Sequence, residues 1–355
     1  MTVQISAERL GRQLAAILTA WGMPAEHIEV TVRVMLAADL RGIDSHGVAT
    51  LSLYDDFRRS GKLTFNPEVK VVRESPVTAL MDGGGGLGHF PGVKAMELAI
   101  KKCAATGVGV VAVRNSNHYG AAGIYALQAV ERGFIGVSTT GVWRPGVVPT
   151  FGAAPMFGTN PIAFAAPARR NPPFCLDMAT STVAIGKVKL AALHGKPIPA
   201  GWALDDQGQA ATDAKEAMKH MRMTPLGGTP EMSSHKGYGL GAMVEILSTI
   251  LPGACFSATR PQKDPDAERY NVGHFFLALD PQAFRGEGEF ESDLDDMIDA
   301  LHAMKRADAA QPVLAPGDPE QTHFTERTRN GIPVSEEMAR DIRRIAESCG
   351  APFLL

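Results

Sequence analysis

TALMDGGGGLGH, residues 78–89, is the stretch on which the choice of fold turns. Thr78–Met81 reads as a strand and Val93–Ala105 as a helix, so Gly83, Gly85 and Gly88 satisfy the GxGxxG pattern of a dinucleotide-binding turn. In such a turn the glycines bring the backbone against a pyrophosphate at a helix N-terminus. Four consecutive glycines make that match easy to meet by chance. The acidic ribose ligand, expected about 20 residues further on at the end of the next strand, is missing: Val108–Val113 is followed by Arg114 and Asn115. The run is read as a tight glycine-rich turn, and a Rossmann fold is disfavoured.

Around it the chain has an α/β pattern. Leu10, Leu14, Ile17, Leu18 and Trp21 recur at helical spacing, and a second helix is expected from Pro24 to about Arg41. Short β-type runs (Val69–Val72, Thr78–Met81, Val108–Val113, Ile135–Thr140) alternate with helical stretches at Val93–Ala105 and Gly120–Arg132. Residues 141–175 hold seven prolines and read as strands joined by loops, and 195–233 is also loop-rich. Helices are expected at Tyr238–Leu251 and Leu294–Met304, with a strand at His274–Leu279 between them. A last helix begins near Ser335 with Met338, Ile342 and Ile345 on one face.

A net charge of -3 and 21% charged residues provide no basic field for a nucleic acid, and no Lys/Arg run suggests a membrane patch. No apolar stretch reaches the roughly 20 residues of a membrane span. The four cysteines, Cys103, Cys175, Cys255 and Cys349, form no CxxC pair, and no signal-peptide pattern precedes them, so a reducing cytoplasm is expected. HExxH, GxSxG and a clustered Cys/His set are absent, which leaves zinc hydrolysis and serine acyl transfer without support and predicts no metal. Gly186-Lys187 is no P-loop, because Val188 stands where Ser or Thr would bind magnesium.

Four segments can carry chemistry. Asp44-Ser45-His46-Gly47 surrounds a histidine with small and polar residues, able to hold one imidazole nitrogen and leave the other for a substrate; a solvent-exposed turn histidine is the plain alternative. Asn115-Ser116-Asn117-His118-Tyr119-Gly120 sits at a strand-to-helix junction, where loops carry function, although Asn and Ser are also ordinary helix caps. Asp177-Met178-Ala179-Thr180-Ser181-Thr182 offers a carboxylate and three hydroxyls to a ribose or phosphate. His235-Lys236-Gly237-Tyr238 opens an apolar helix with a cation, which suits an anion as well as it suits a plain helix start.

Taken in order, RGIDSHGV, SNHYGAAGIYA, GTNPIAFAAP, LDMATSTVAIGKV, HKGYGL, PGDPE and GIPV resemble the malate/L-lactate dehydrogenase family of the second type over nearly the whole chain. That family includes ureidoglycolate and sulfolactate dehydrogenases, 2,3-diketogulonate reductase and piperideine-2-carboxylate reductase. The resemblance implies a non-Rossmann α/β fold and a homodimer. Its expected parts are a helical dimerisation domain (1–68 and 312–355), a mixed-sheet cofactor domain (69–120 and 230–311) and an inserted α/β domain (121–229).

The resemblance also implies an oxidoreductase moving a hydride between NAD or NADP and C2 of a small 2-hydroxy or 2-oxo carboxylate. A reductase of cyclic 2-imino carboxylates, or a catalytically silent nucleotide-binding protein, are the alternatives. By the same resemblance His46, supported by Ser45, is the proton donor and acceptor, and His118 belongs to the active site. Asp177, Met178, Ala179, Lys236, Pro316 and Gly317 fall at cofactor-binding positions. Members usually carry an arginine three residues after SHG; here that position is Thr50. Val142 occupies a position that is polar in ureidoglycolate dehydrogenase, within a departing loop, Gly141–Pro149. Arg144 in that loop is the expected carboxylate partner, since Thr50 offers only a neutral hydroxyl.

Overall fold

A computed structural model describes residues 2–259 and 269–355. In chain order its elements begin with β1 (Thr2–Ile5), α1 (Ala7–Ala20), α2 (Ala25–Leu40) and α3 (Leu51–Arg59). Next come β2 (Lys70–Glu74), β3 (Thr78–Asp82), α4 (His89–Thr106), β4 (Val108–Ser116), α5 (Gly123–Val130) and β5 (Ile135–Thr140). Then follow β6 (Ile162–Ala166), β7 (Phe174–Met178), α6 (Ile185–Leu193), β8 (Ala203–Leu204), β9 (Ala210–Ala211), α7 (Ala214–His220) and α8 (Ser234–Glu245). The chain closes with β10 (Val272–Leu279), α9 (Glu289–His302), α10 (Asp318–Asn330), β11 (Ile332–Ser335) and α11 (Glu336–Cys349).

The two ends of the chain form one body. Ser6 caps α1 by accepting from Arg9 N, and the helix buries Leu10, Leu14, Ile17 and Leu18 in the same cluster as Ile342 and Ile345 of α11. Burying such a branched aliphatic side chain contributes about 1.5–3 kcal/mol, which is what draws the ends together. β1 and β11 pair antiparallel from Thr2↔Ser335 to Ile5↔Ile332. Gln13 closes the joint, its amide donating to Pro352 O at 3.1 Å while its oxygen accepts from Leu354 N.

The centre is a seven-stranded mixed sheet in the order β2-β3-β4-β10-β5-β6-β7. β3 and β4 run parallel across the α4 crossover, and the other pairs are antiparallel. This order confirms an α/β fold outside the Rossmann class. α4 and α5 cover the sheet with Phe90, Val93, Met96 and Tyr125, against Val111, Val113 and Phe276.

The boundary expected at residue 120 runs through this sheet. β10 fits between β4 and β5, so β5, β6 and β7, all beyond residue 120, lie in one layer with β3 and β4. A separate apolar cluster gathers Val183, Val188, Ile198, Ala203, Ala217 and Met223 around the β8–β9 pair. Among the described residues no helix is long and apolar enough to cross a membrane.

Candidate active site

His46 stands in a 3-10 turn, Asp44–His46, between α2 and α3. The turn is clamped from two sides. Asp39 Oδ2 accepts the Val48 N–H at 2.9 Å, and Arg327 of α10 donates to Asp39 O at 2.6 Å while forming an ion pair with Asp44. Burial pushes the Asp39 carboxyl up to about 7, against the opposing pull of the Val48 bond and, more weakly, of Arg327. Ser45 Oγ lies 2.8 Å from His46 Nδ1, which leaves Nε2 for a substrate. Burial lowers the imidazole below its ordinary value.

The glycine run of residues 83–88 works on the other histidine. Gly83 N, Gly85 N and Gly88 N donate to Arg114 O, Asn115 O and His118 O at 2.8, 2.7 and 2.9 Å. A Cβ on Gly88 would stand 2.4 Å from Asn117 O. The glycines therefore let the turn lie against the loop after β4 and hold it, in place of cradling a pyrophosphate. Asn117 Oδ1 accepts the His118 N–H at 2.8 Å, and His118 Nδ1 meets Tyr54 Oη of α3 at 2.8 Å.

The rings of His46 and His118 stack with centroids 5.6 Å apart and planes 25° from parallel. Trp143 meets His118 edge-on at 5.8 Å and Phe57 at 5.3 Å, closing one side with apolar surface. Burial, and then the neighbouring His46, His89 and His274, hold His118 well below the usual imidazole range. Two histidines 72 positions apart in sequence thus share one site.

Of the expected cofactor positions, Asp177 and Met178 end β7 and the Pro316-Gly317 turn lies against it. Cys175 N donates to Pro316 O at 2.9 Å, and Gly317, at φ 105°, approaches so closely that a Cβ would lie 3.2 Å from Cys175 N and Pro173 O. Asp177 Oδ2 accepts the Gly123 N–H at 2.7 Å at the start of α5. Burial raises the Asp177 carboxyl to about 6, opposed by that bond and assisted by Glu320. Asp177 and Gly317 line one cavity with Arg41, Ile43, Ile124 and Leu127, and Ile43 borders the His46 turn.

Met178 and Ala179, both partly buried, lead from Asp177 to Thr180, on which α8 packs at Gly241. Lys236 is exposed in the first turn of α8. Asp177 offers a carboxylate that could take the ribose hydroxyls of a dinucleotide, with Ile43, Ile124 and Leu127 as aliphatic walls. Among the described residues no group of three or more His, Cys, Asp or Glu is arranged to hold a metal.

The two residues expected at the substrate stand differently. Thr50 is buried and its Oγ1 donates to Gly47 O at 2.7 Å, so its proton is spent on the turn that carries His46. Arg144 is exposed beside Trp143, in an open groove with Asp56, Phe57, Arg59 and Tyr270. Arg59 is taken up by Asp55 and Asp56, whereas Arg144 forms no ion pair among the described residues. Sequence reading passed over Asp39, Tyr54, His89 and Arg327. The spacing of Leu51, Tyr54 and Phe57, one buried stripe of α3, was the signal available for Tyr54.

The non-Rossmann mixed sheet and the paired His46 and His118 agree with an oxidoreductase, the class to which the named relatives belong. The chain belongs to the malate/L-lactate dehydrogenase family, which it matches over residues 5–343. It is 41% identical over 353 residues to a malate dehydrogenase of Pyrococcus abyssi, covering 99% of this chain and 96% of the relative. Among solved structures, malate dehydrogenase from Entamoeba histolytica superposes with a TM-score of 0.94 at 30% identity, each chain covered in full. The delta1-piperideine-2-carboxylate reductase from Pseudomonas syringae superposes with a TM-score of 0.85 at 27% identity, over 97% of this chain and 100% of the other.

Proposed function

We propose that the protein is an NAD(P)-dependent dehydrogenase that interconverts a small 2-hydroxy carboxylate and its 2-oxo form. The observation that carries the reading is the stacked pair His46 and His118, each with Nδ1 engaged by a hydroxyl. The nicotinamide of the bound cofactor supplies or takes the hydride at C2.

This chain's own residues handle the proton and the orientation. His46 Nε2 gives a proton to the C2 oxygen during reduction and takes it back during oxidation, with Ser45 Oγ accepting from Nδ1–H in both states of the ring. His118 holds the substrate from the opposite side, and Trp143 keeps water from that wall. Asp177, Met178, Ala179 and the Pro316-Gly317 turn hold the adenosine end, and Lys236 meets a phosphate or ribose. Arg144 contacts the substrate carboxylate.

A second reading, reduction of a cyclic 2-imino carboxylate, has the piperideine-2-carboxylate reductase likeness in its favour and asks the same proton of His46. A homodimer in the cytoplasm belongs to the proposal. The helical body formed by both chain ends is the part proposed to meet a second copy. Sedimentation equilibrium showing only a monomer would remove that part.

A spectrophotometric screen of NADH and NADPH against 2-oxo acids and cyclic imino acids decides the function. Turnover of a 2-oxo acid is expected. Turnover of imino acids alone selects the second reading, and binding of cofactor without turnover of either class leaves a silent nucleotide-binding protein.

A further inference from the structure

The two histidines of the site are held by different kinds of hydroxyl. Ser45 is exposed and its Oγ accepts from His46 Nδ1–H in both states of the ring, so His46 changes protonation state without losing the bond. Tyr54 is fully buried, and its Oη contacts two imidazoles at once: His118 Nδ1 at 2.8 Å and His89 Nε2 at 3.3 Å. His89, at the start of α4, is itself 0% exposed.

Thr50 is a further side-chain neighbour of Tyr54; a phenol has one proton to give, and where that proton goes to an imidazole Tyr54 donates to one and accepts from the other. In one wiring Tyr54 donates to His118 Nδ1 and accepts from His89 Nε2–H. His118 then carries its own proton on Nε2, and His89 Nδ1 is a bare lone pair. In the other wiring Tyr54 donates to His89, which must carry its proton on Nδ1, and His118 presents a bare Nε2.

His89 Nδ1 decides between them, because it is buried with no hydrogen-bond partner among the described residues. A buried N–H without an acceptor is the rarer and more costly defect, while an under-satisfied acceptor is tolerated. The first wiring avoids the orphaned N–H. It also assigns the shorter contact to the O–H donor, as hydroxyl bonds are the shorter kind.

We propose that Tyr54 and His89 are positioning residues that lock His118 in the neutral Nε2–H tautomer, a fixed hydrogen-bond donor to the substrate's carboxylate or C2 oxygen, leaving proton transfer to His46. The lock rests on the proposed function only in assigning the substrate as the acceptor of that N–H. The titratable groups around His118 are His46, His89, His274 and Tyr54; burial first, and then the three histidines, disfavour a charge on it.

Long-range proton–nitrogen correlation spectra of the full chain labelled with nitrogen-15 histidine test this without substrate, His118 being assigned through His118→Gln. The expected spectrum has Nε2 protonated and Nδ1 bare, unchanged from about pH 5.5 to about pH 8, where a free imidazole titrates. A proton on Nδ1, whether from the second wiring or from a Tyr54 proton turned toward Thr50, or a His118 that titrates near 6.5, overturns the proposal.

Tyr54→Phe is expected to populate both tautomers and to lower kcat/KM about 10-fold, mostly through KM, with the pH profile of kcat kept. His89→Gln retains an N–H toward Tyr54 and is expected to keep the wild-type His118 spectrum, whereas His89→Leu follows Tyr54→Phe. An unchanged tautomer in both Tyr54→Phe and His89→Leu overturns the assignment of these residues. If neither variant folds, the wild-type and His89→Gln spectra still decide. A locked tautomer in a protein that turns over no substrate would sink the proposed function and leave the lock standing.

Discussion

Gly47 lies so close to Asp39 that a Cβ added to it would stand 1.9 Å from Asp39 Oδ1. The carboxylate occupies that space because it holds Val48 N at 2.9 Å, while Arg327 grips the backbone oxygen of the same aspartate. Gly47→Ala is therefore expected to destabilise the protein by about 1–3 kcal/mol through overpacking and to swing His46 away from His118. Thermal unfolding and turnover measured together check it. Wild-type values for both would mean that the turn has room to give.

His46→Ala is expected to lower kcat about 100- to 10,000-fold while the dissociation constant of the cofactor hardly moves, since the proton is needed only as charge develops on the substrate. Steady-state turnover with saturating cofactor near neutral pH provides the comparison. A variant with wild-type kcat would transfer the acid–base role to another group.

Asp177→Asn separates two duties of one side chain. The amide oxygen can still accept from Gly123 N, now at 2.7 Å from the carboxylate, so folding should survive. A ribose hydroxyl loses its charged acceptor, and the dissociation constant for NAD(P)H is expected to rise about 10-fold. Calorimetric titration with NADH and NADPH reads this directly, and an unchanged constant would make Asp177 a helix cap and no more.

Arg144→Ala is expected to reduce kcat/KM about 10- to 150-fold and to spare cofactor binding, because a charge-assisted bond to a carboxylate contributes about 1.5–3 kcal/mol. The structure leaves this arginine exposed and without an ion pair among the described residues, one residue from the Trp143 that packs on His118. Wild-type kcat/KM in the variant would mean the carboxylate is held elsewhere.

His274 is a structural histidine whose two ring nitrogens meet Thr140 Oγ1 at 2.7 Å and Ser116 Oγ at 2.8 Å, with Tyr119 stacked on it at 4.6 Å. Burial lowers it to about 3, so the folded state prefers the neutral ring. That contribution is complete above about pH 6.5, the unfolded value, and is lost as the pH falls toward the folded one. Relative to His274→Gln, which does not titrate, the wild type should lose about 1.4 kcal/mol per pH unit between about pH 6 and pH 4. Denaturant unfolding of both proteins across that range would show a flat difference if the ring were already charged.

Periodicity served well wherever an element buries one face by itself. Ile135–Thr140 is a strand with the bounds its alternation predicts, and Ser335 caps the last helix by accepting from Met338 N, as its place before an amphipathic run suggested. The helix expected at Gly120–Arg132 is shorter, Gly123–Val130, because the Asp177 carboxylate takes the Gly123 N–H and starts the helix there. The helix expected at Tyr238–Leu251 begins earlier, at Ser234, and its continuation at Ile246–Ile250 winds as a π-helix. α3 went unread although it is short and plainly amphipathic, and Tyr54 was missed with it.

The residues themselves determined that the chain is α/β, that its glycine run lacks the acid a Rossmann fold needs, and that His46 and His118 are of a type able to move or hold a proton. Those are local properties, written in composition, spacing and side-chain chemistry. Only the tertiary structure decided what the glycine run supports, since its backbone N–H groups find the His118 loop after β4 closes on β3. The placing of Arg327 behind Asp39, nearly 300 positions away along the chain, has the same origin. So does the meeting of His118, Tyr54 and His89. Each is a hydrogen bond across sequence-distant elements, and burial of apolar faces, which specifies no polar partner, is what brings those elements together.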